Sequence, residues 1–153
     1  MPHLHDAIDF TVDVFVVYKD KVLLRKHDKY KMWLSVGGHI ELGEGPEEAA
    51  IREVKEEVGL DVVIDDSLKP SYGPTDYAEL IPPYYLNKHR INATHEHISF
   101  IYFAKSITDK IVQGEHEVSE ACRWFTREEI EEHKELSPTI KFYALKALEA
   151  ISK

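Results

Sequence analysis

Residues 38–60 read GHIELGEGPEEAAIREVKEEVGL, and this segment is the most informative part of the chain about its fold. Its second part, Pro46–Val58, predicts a helix. Proline is suited to the first turn, and the two glutamates that follow it are favoured by the positive end of the helix dipole. Gly59 is suited to the position after the last turn, where the backbone often becomes left-handed.

One side of this helix is acidic and the neighbouring side is apolar. At ~100° per residue, Glu53, Glu56 and Glu57 share an arc of about 100°. The apolar side, which we expect to pack on a sheet, comprises Ala50, Ile51, Val54 and Val58. Clustered carboxylates repel one another unless they are solvated or hold a cation. Oxygen ligands of this kind suit Mg²⁺ or Mn²⁺, whose remaining positions are often taken by water and phosphate oxygens.

The residues around the three glutamates are more specific than the glutamates themselves. The segment matches Gly-x5-Glu-x7-Arg-Glu-U-x-Glu-Glu-x-Gly-U, where U is a bulky aliphatic residue, without a mismatch. The matching residues are Gly38, Glu44, Arg52, Glu53, Val54, Glu56, Glu57, Gly59 and Leu60. This pattern is the Nudix box, and the chain resembles the MutT-like branch of the Nudix hydrolase superfamily. The resemblance implies one α/β domain over residues 1–153, folded as a β/α/β (α/β/α) sandwich with a mixed central sheet.

The resemblance also implies an activity. It implies Mg²⁺- or Mn²⁺-dependent hydrolysis of a diphosphate bond in a nucleoside diphosphate linked to another group, such as a nucleoside triphosphate, ADP-ribose or a nucleotide sugar. The expected metal ligands are the carboxylates of Glu53, Glu56 and Glu57 and the backbone carbonyl of Gly38 or its neighbour Gly37.

Further roles follow from the same match. Glu53 is the first candidate for the residue that activates water, and Glu56 is placed beside it in the catalytic set. Arg52 is expected to orient a neighbouring carboxylate, and Glu44 to help fix that geometry.

Substrate-binding candidates lie outside the box. Residues 67–92 contain four prolines and four tyrosines and predict a long excursion with at most one irregular strand. Because the box offers no aromatic side chain, Tyr84 and Tyr85 are candidates for stacking on a base, with covering the sheet or a dimer contact as the alternative. Arg25 is a candidate for a phosphate or sugar contact. Glu117 is a candidate late-loop base or metal ligand, with a solvated acidic loop as the alternative.

Two histidines raise a separate metal hypothesis. His95 and His97 alternate at the start of a strongly apolar strand, so both rings are expected on one face. A zinc site needs at least a third protein ligand, and the sequence offers no clear one. We therefore interpret them as surface or pocket-lining histidines.

Composition limits the remaining choices. The net charge of −9 argues against a nucleic-acid duplex or an anionic membrane as partner. No apolar run approaches the about 20 residues that a bilayer-spanning helix needs. The single cysteine, Cys122, fits a cytoplasmic protein without disulfides. We expect a small-molecule nucleotide as partner, and a homodimer through the last helix is compatible with the sequence. Two alternative functions are a non-catalytic nucleotide-sensing module and an isopentenyl-diphosphate isomerase, which would need a cysteine in the site.

Overall fold

The computed structural model describes residues 7–27, 31–73, 76–114 and 121–151. All eight strands in these ranges join one mixed sheet, and three helices accompany it. In chain order the elements are β1 (Ile8–Tyr18), β2 (Lys21–Lys26), β3 (Trp33–Leu34), β4 (Val36–His39), α1 (Pro46–Val58), β5 (Val62–Ile64), β6 (Tyr85–Asn92), β7 (His95–Ser106), β8 (Ala121–Thr126), α2 (Arg127–Glu132) and α3 (Pro138–Ile151).

The sheet is organised around β1, which runs parallel to β7 along most of its length. β1 and β2 form a hairpin, but the two strands pair only next to their turn, at Val17–Val22 and Tyr18–Lys21. Beyond that point β4 pairs with β1, whereas β2 pairs with β3 and β8. The sheet therefore opens between β1 and β2, and β4 lies in the opening.

Two apolar cores lie on opposite faces of the sheet. Alternate residues of β1 point to opposite sides. Phe15 and Val17 pack towards α2 and α3, whereas Val14 and Val16 pack towards α1. The predicted α/β/α sandwich with a mixed central sheet is confirmed.

Local sequence signals account for the helices. Helix α1 has the predicted bounds, and Gly59 adopts a left-handed conformation with φ of 70°. The hydroxyl of Thr126 accepts a hydrogen bond from the backbone N–H of Glu129, whose carboxylate accepts one from the N–H of Thr126 in return. This reciprocal cap begins α2.

The sequence analysis missed β3 and β4, which are only two and four residues long. β4 requires a residue without a side chain at position 37, because a Cβ atom there would overlap the backbone carbonyl of Val12 in β1. The prediction that Ile51 belongs to the packing side of α1 was wrong. Ile51 is 46% exposed, whereas Ala49 is fully buried. Since β4 runs along the acidic edge of α1, burial of the helix is shifted towards that edge.

The excursion at residues 67–92 ends in one strand, β6, with an irregularity between Arg90 and Asn92. The prediction of a single irregular strand is confirmed. Among the described residues no helix is both long enough and apolar enough to cross a bilayer.

Candidate active site

Arg52 is the centre of a polar network on α1. Its Nε and Nη2 donate to the two carboxylate oxygens of Glu44 at 2.7 and 2.8 Å, which is a bidentate pair. Its Nη1 donates to Glu53 at 3.0 Å and to Glu56 at 3.1 Å. Its Nη2 also donates to the backbone carbonyl of His39 at 3.0 Å. One guanidinium group therefore fixes three carboxylates of the box and the end of β4.

The charges of this network support one another. The guanidinium of Arg52 holds the pKa of the Glu44 carboxyl below its ordinary value of 4.5. In return, the hydrogen bonds from Arg52 to Glu44 raise the pKa of the guanidinium. Both groups are therefore ionised near neutral pH. The predicted orienting role of Arg52 and the predicted supporting role of Glu44 have a structural basis in these contacts.

Two glycines bring β4 against the acidic edge of α1. The backbone N–H of Gly37 donates to Glu57 at 2.9 Å. A Cβ atom at Gly38 would overlap the carboxylate of Glu53, so only glycine leaves room for that carboxylate. The box carboxylates and the Gly37–Gly38 backbone thus meet in one place, although β4 and α1 are separated by a loop.

Glu57 differs from the expectation that it projects away from the packing side of the helix. Its side chain is only 3% exposed, and its second carboxylate oxygen contacts the guanidinium of Arg25. The reason is the same approach of β4, which covers this edge of α1. Glu57 therefore lies inside the protein, between a backbone donor and a cation, and its loss would affect folding as well as chemistry.

The donor set fits a hard divalent cation. Glu53, Glu56 and Glu57 would supply carboxylate oxygens, and the carboxylate of Glu53 lies directly against the Gly38 backbone. Mg²⁺ and Mn²⁺ prefer such oxygen ligands. One N–H group of Arg52 holds Glu53 and Glu56, whereas Glu57 faces the Gly37 N–H and the guanidinium of Arg25.

A cavity of about 710 Å³ extends from this edge across one face of the sheet. Gly37, Gly38, Glu57 and Arg25 lie at one end of it. Its floor is polar and is formed by Thr11, Asp13, Asn87, His89, His97 and Ser99. Apolar side chains of Phe15, Ile140 and Tyr143 form another wall. A cavity of this size and mixed lining suits a nucleotide-sized ligand.

Some of the predicted substrate residues line the cavity and others do not. Arg25 and His97 line the cavity, so Arg25 stays a candidate for a phosphate or sugar contact. Tyr84 and Tyr85 are not among the cavity-lining residues. The ring of Tyr84 stacks on Phe103 at 4.4 Å, and Tyr85 packs against Tyr143 at 5.4 Å. Their position in the core gives them the packing role that the sequence left as the alternative.

Glu117 lies outside the described residues, and so does the rest of the 115–120 loop. Cys122 pairs with Arg25 across β2 and β8 and is not among the residues that line the cavity. Burial raises the pKa of its thiol to about 11, so it is protonated near neutral pH.

The cavity floor contains residues that the sequence analysis did not select. Asp13 is the clearest, because desolvation raises the pKa of its carboxyl, while hydrogen bonds from Ser99 and Ser35 act in the opposite direction. Asn87 is held by the Tyr143 hydroxyl, which accepts from its Nδ2 at 3.1 Å. The available signal was the alternation of polar residues at positions 9, 11 and 13 in an otherwise apolar strand.

Comparison with known proteins identifies relatives over the whole fold. The NUDIX domain model matches residues 8–146. A crystal structure of a NUDIX-family hydrolase from Clostridium perfringens superposes with a TM-score of 0.86. That protein is 37% identical to this chain, and the match covers 97% of this chain and 99% of the other.

Curated relatives match over shorter segments. Dihydroneopterin triphosphate diphosphatase from Escherichia coli strain K12 is 47% identical over 47 residues, which is 31% of this chain and 31% of that protein. ADP-ribose pyrophosphatase from Methanocaldococcus jannaschii is 43% identical over 61 residues, 38% of this chain and 35% of that protein. The matches span about a third of the length of these curated relatives.

Proposed function

Because the chain belongs to the NUDIX domain family, we propose that it is a divalent-metal-dependent pyrophosphohydrolase of a small nucleotide. The bond cleaved is a diphosphate bond in a nucleoside diphosphate that carries a further group. The observation that carries this proposal is the network in which Arg52 fixes Glu44, Glu53 and Glu56 beside the Gly37–Gly38 backbone. Gly37, Gly38 and Glu57 line a cavity of nucleotide size, whereas Arg52, Glu53 and Glu56 are not among its lining residues.

The cation belongs at the acidic edge of α1. Glu53, Glu56 and Glu57 are the proposed protein ligands, and the backbone carbonyl of Gly38 is the proposed fourth. A divalent ion bound there neutralises charge on the diphosphate oxygens and lowers the pKa of the attacking water. Mg²⁺ is the first choice because the proposed donors are all oxygen atoms, and Mn²⁺ is the second.

Hydrolysis requires a base as well as charge neutralisation. A water oxygen forms a bond to one phosphorus atom, and the bond from that phosphorus to the bridging oxygen breaks. We assign Glu53 to accept the proton of the water, since it lies next to Gly38 and is held by one N–H of Arg52 at 3.0 Å. Arg52 is a positioning residue in this scheme, because it limits the orientations available to both Glu53 and Glu56.

The rest of the nucleotide is assigned to the cavity floor. Asp13, Asn87 and Ser99 offer hydrogen-bonding groups there, and Phe15 and Tyr143 offer apolar surface. This arrangement can bind a flat heterocycle by its edge and by its face. Arg25 stays a candidate for a phosphate contact, because it lines the cavity next to Glu57.

The names of the relatives define the first substrates to test. One acts on dihydroneopterin triphosphate and another on ADP-ribose. We propose that the substrate of this chain lies in the same class, which includes nucleoside triphosphates, ADP-ribose and nucleotide sugars.

A substrate panel tests the proposal. The purified protein is incubated with nucleoside triphosphates, dihydroneopterin triphosphate, ADP-ribose and nucleotide sugars in Mg²⁺ or Mn²⁺, and the products are separated by ion-exchange chromatography. We expect a nucleoside monophosphate product for at least one compound and no turnover in excess chelator. The Glu53→Gln variant should lose at least about 100-fold in kcat. Glu149→Gln in α3, which removes an exposed carboxylate paired with Lys146, is the matched control and should retain full activity.

The same panel separates the alternative functions. A nucleotide-sensing module would bind a compound in the panel without releasing product. An isomerase would convert isopentenyl diphosphate without hydrolysing it, and the position of Cys122 outside the cavity lining argues against that activity. Binding without turnover in both metals would refute the proposed hydrolysis.

Three further predictions from the sequence concern the extent of the domain, the oligomeric state and the cellular location. A single domain over residues 1–153, a homodimer through α3 and a cytoplasmic location all stay predictions. Size-exclusion chromatography with light scattering measures the molar mass in solution and so tests the predicted homodimer.

A further inference from the structure

A second group of potential metal ligands lies on the sheet and is separate from the three glutamates of the box. Asp9 in β1 and His97 in β7 are direct partners in the parallel register, and His95 lies two residues before His97 on the same face. Strand β4 places His39 beside Thr11, which is on the same face as Asp9. Strand β6 places His89 opposite His97. Four strands thus bring one carboxylate and four imidazoles onto one end of the sheet.

Three of these residues form a compact donor set. One ligand atom each from Asp9, His95 and His97 lies within 4.8 Å of the other two. The His95 Nε2 is 3.1 Å from the Asp9 Oδ2. Around a tetrahedral Zn²⁺ with bonds of about 2.0–2.1 Å, neighbouring ligand atoms are about 3.3 Å apart. The observed spacing therefore needs only small side-chain rotations to surround one ion.

The charge and burial of the group favour a cation. Asp9 is only 2% exposed, and a carboxylate in such a place is costly unless positive charge lies close to it. Its Oδ2 lies 3.3 Å from the Nε2 of His39 as well as close to His95.

We propose that Asp9, His95 and His97 bind one Zn²⁺ ion or a similar first-row transition-metal ion. His39 supports the site by contacting the Asp9 carboxylate from the side of β4. The donor set of two nitrogens and one oxygen suits Zn²⁺, whereas the all-oxygen set of the box suits Mg²⁺. The ion joins β1 to β7 where their parallel pairing begins. The proposal does not rest on the proposed hydrolysis, although His97 also lines the cavity.

Cobalt titration provides the direct test. The full-length protein is treated with EDTA and dialysed, CoCl₂ is added, and the visible absorption of Co²⁺ is recorded. Co²⁺ in a four- or five-coordinate nitrogen and oxygen site absorbs much more strongly than octahedral Co²⁺. We expect strong absorption that saturates at one equivalent and that ZnCl₂ removes by displacement.

Variants assign the binding to the three residues. His95→Gln and His97→Gln should each weaken Zn²⁺ binding at least about tenfold, since even residues that only support metal ligands cost about 10–100-fold when replaced. His89→Gln is the matched control, because its ring lies 5.7 Å from that of His97 but it contributes no atom to the donor set. Glu53→Gln in the box should leave the cobalt spectrum unchanged.

Thermal unfolding gives a second measurement. At a free Zn²⁺ concentration about 100-fold above its dissociation constant, Tm of the wild type should rise by roughly 5–10 °C. The rise should be absent in His97→Gln and present in Glu53→Gln. The proposal is overturned if the wild type shows only octahedral Co²⁺, or if His97→Gln binds Zn²⁺ as well as the wild type does. These tests measure metal binding alone, so they remain valid even if the protein hydrolyses no nucleotide.

Discussion

Replacement of Arg52 by alanine should destabilise the protein and reduce catalysis without abolishing metal binding. The side chain of Arg52 makes a bidentate pair with Glu44 and single hydrogen bonds to Glu53, Glu56 and the His39 carbonyl. The alanine variant removes all of these contacts together. It also leaves three carboxylates close together without the cation that now lies between them.

The size of the effect follows from burial. The side chains of Glu44 and Glu53 are each only 13% exposed, whereas that of Glu56 is half exposed and contributes little. Breaking a buried ion pair costs about 3–5 kcal/mol, and an exposed pair about 0–1 kcal/mol. Because Arg52 itself is partly exposed, we expect the free energy of unfolding to fall by about 2–4 kcal/mol. This loss is smaller than the 5–15 kcal/mol typical of whole domains, so the variant should still fold.

Urea denaturation followed by tryptophan fluorescence measures the loss, since Trp33 is buried in the core. The measurement is made in EDTA and again in MgCl₂, which should partly replace the missing positive charge and reduce the difference. Arg127→Ala is the matched control, because Arg127 pairs with Glu131 on an exposed surface at 3.6 Å. That variant should lose no more than about 0.5 kcal/mol.

The pH dependence gives the sign of the interaction. Arg52 holds the pKa of Glu44 below 4.5, so the pair stabilises the folded state above that pH. The difference between wild type and Arg52→Ala should therefore be full near pH 7 and decrease as pH falls below about 4.5. The reasoning is refuted if Arg52→Ala is no less stable than Arg127→Ala in EDTA. Complete loss of Mn²⁺ affinity in calorimetric titration would instead show that Arg52 holds the whole metal site together.

Three other substitutions or treatments test the surrounding structure. Glu57→Gln should lower kcat, and it should lower the free energy of unfolding by about 2–4 kcal/mol, because a neutral amide no longer balances the charge of Arg25 inside the protein. Unchanged stability in urea would contradict the buried position of Glu57. Gly37→Ala should lower Tm strongly, since its Cβ would overlap a backbone carbonyl of β1, whereas Gly45→Ala, whose Cβ comes no closer than 3.4 Å to any neighbour, should be tolerated. Alkylation of Cys122 by iodoacetamide at about pH 8 should be about 100-fold slower in the folded than in the denatured protein, because burial raises the thiol pKa from 9.0 to about 11. Equal rates in the two states would show that the thiol is accessible and readily ionised.

The helix of the box and its polar network were largely predictable from the sequence. Pro46 and Gly59 define its ends by local backbone preference, and both ends are where the sequence places them. Glu56 lies three residues after Glu53 and four after Arg52, so helical spacing alone brings it within reach of both. Interactions of this range depend on the helix alone.

The burial of individual side chains was not predictable in the same way. Glu56 and Glu57 are adjacent in the sequence, yet one is half exposed and the other is 3% exposed. Tyr72 is largely exposed, whereas Tyr84 stacks in the core, although both lie in the same proline-rich segment. The difference arises from which strand passes each side chain, and a short strand such as β4 leaves little signal in the sequence.

The histidine group shows the limit most clearly. The sequence places His95 and His97 on one face but offers no third ligand, because Asp9 is 86 residues away from His95. Only the parallel pairing of β1 with β7 brings Asp9 beside them. Local preferences determine where helices and strands form, because they act over a few residues. The order and register of strands are decided by the packing of the whole core, so contacts between distant residues become visible only in the tertiary structure.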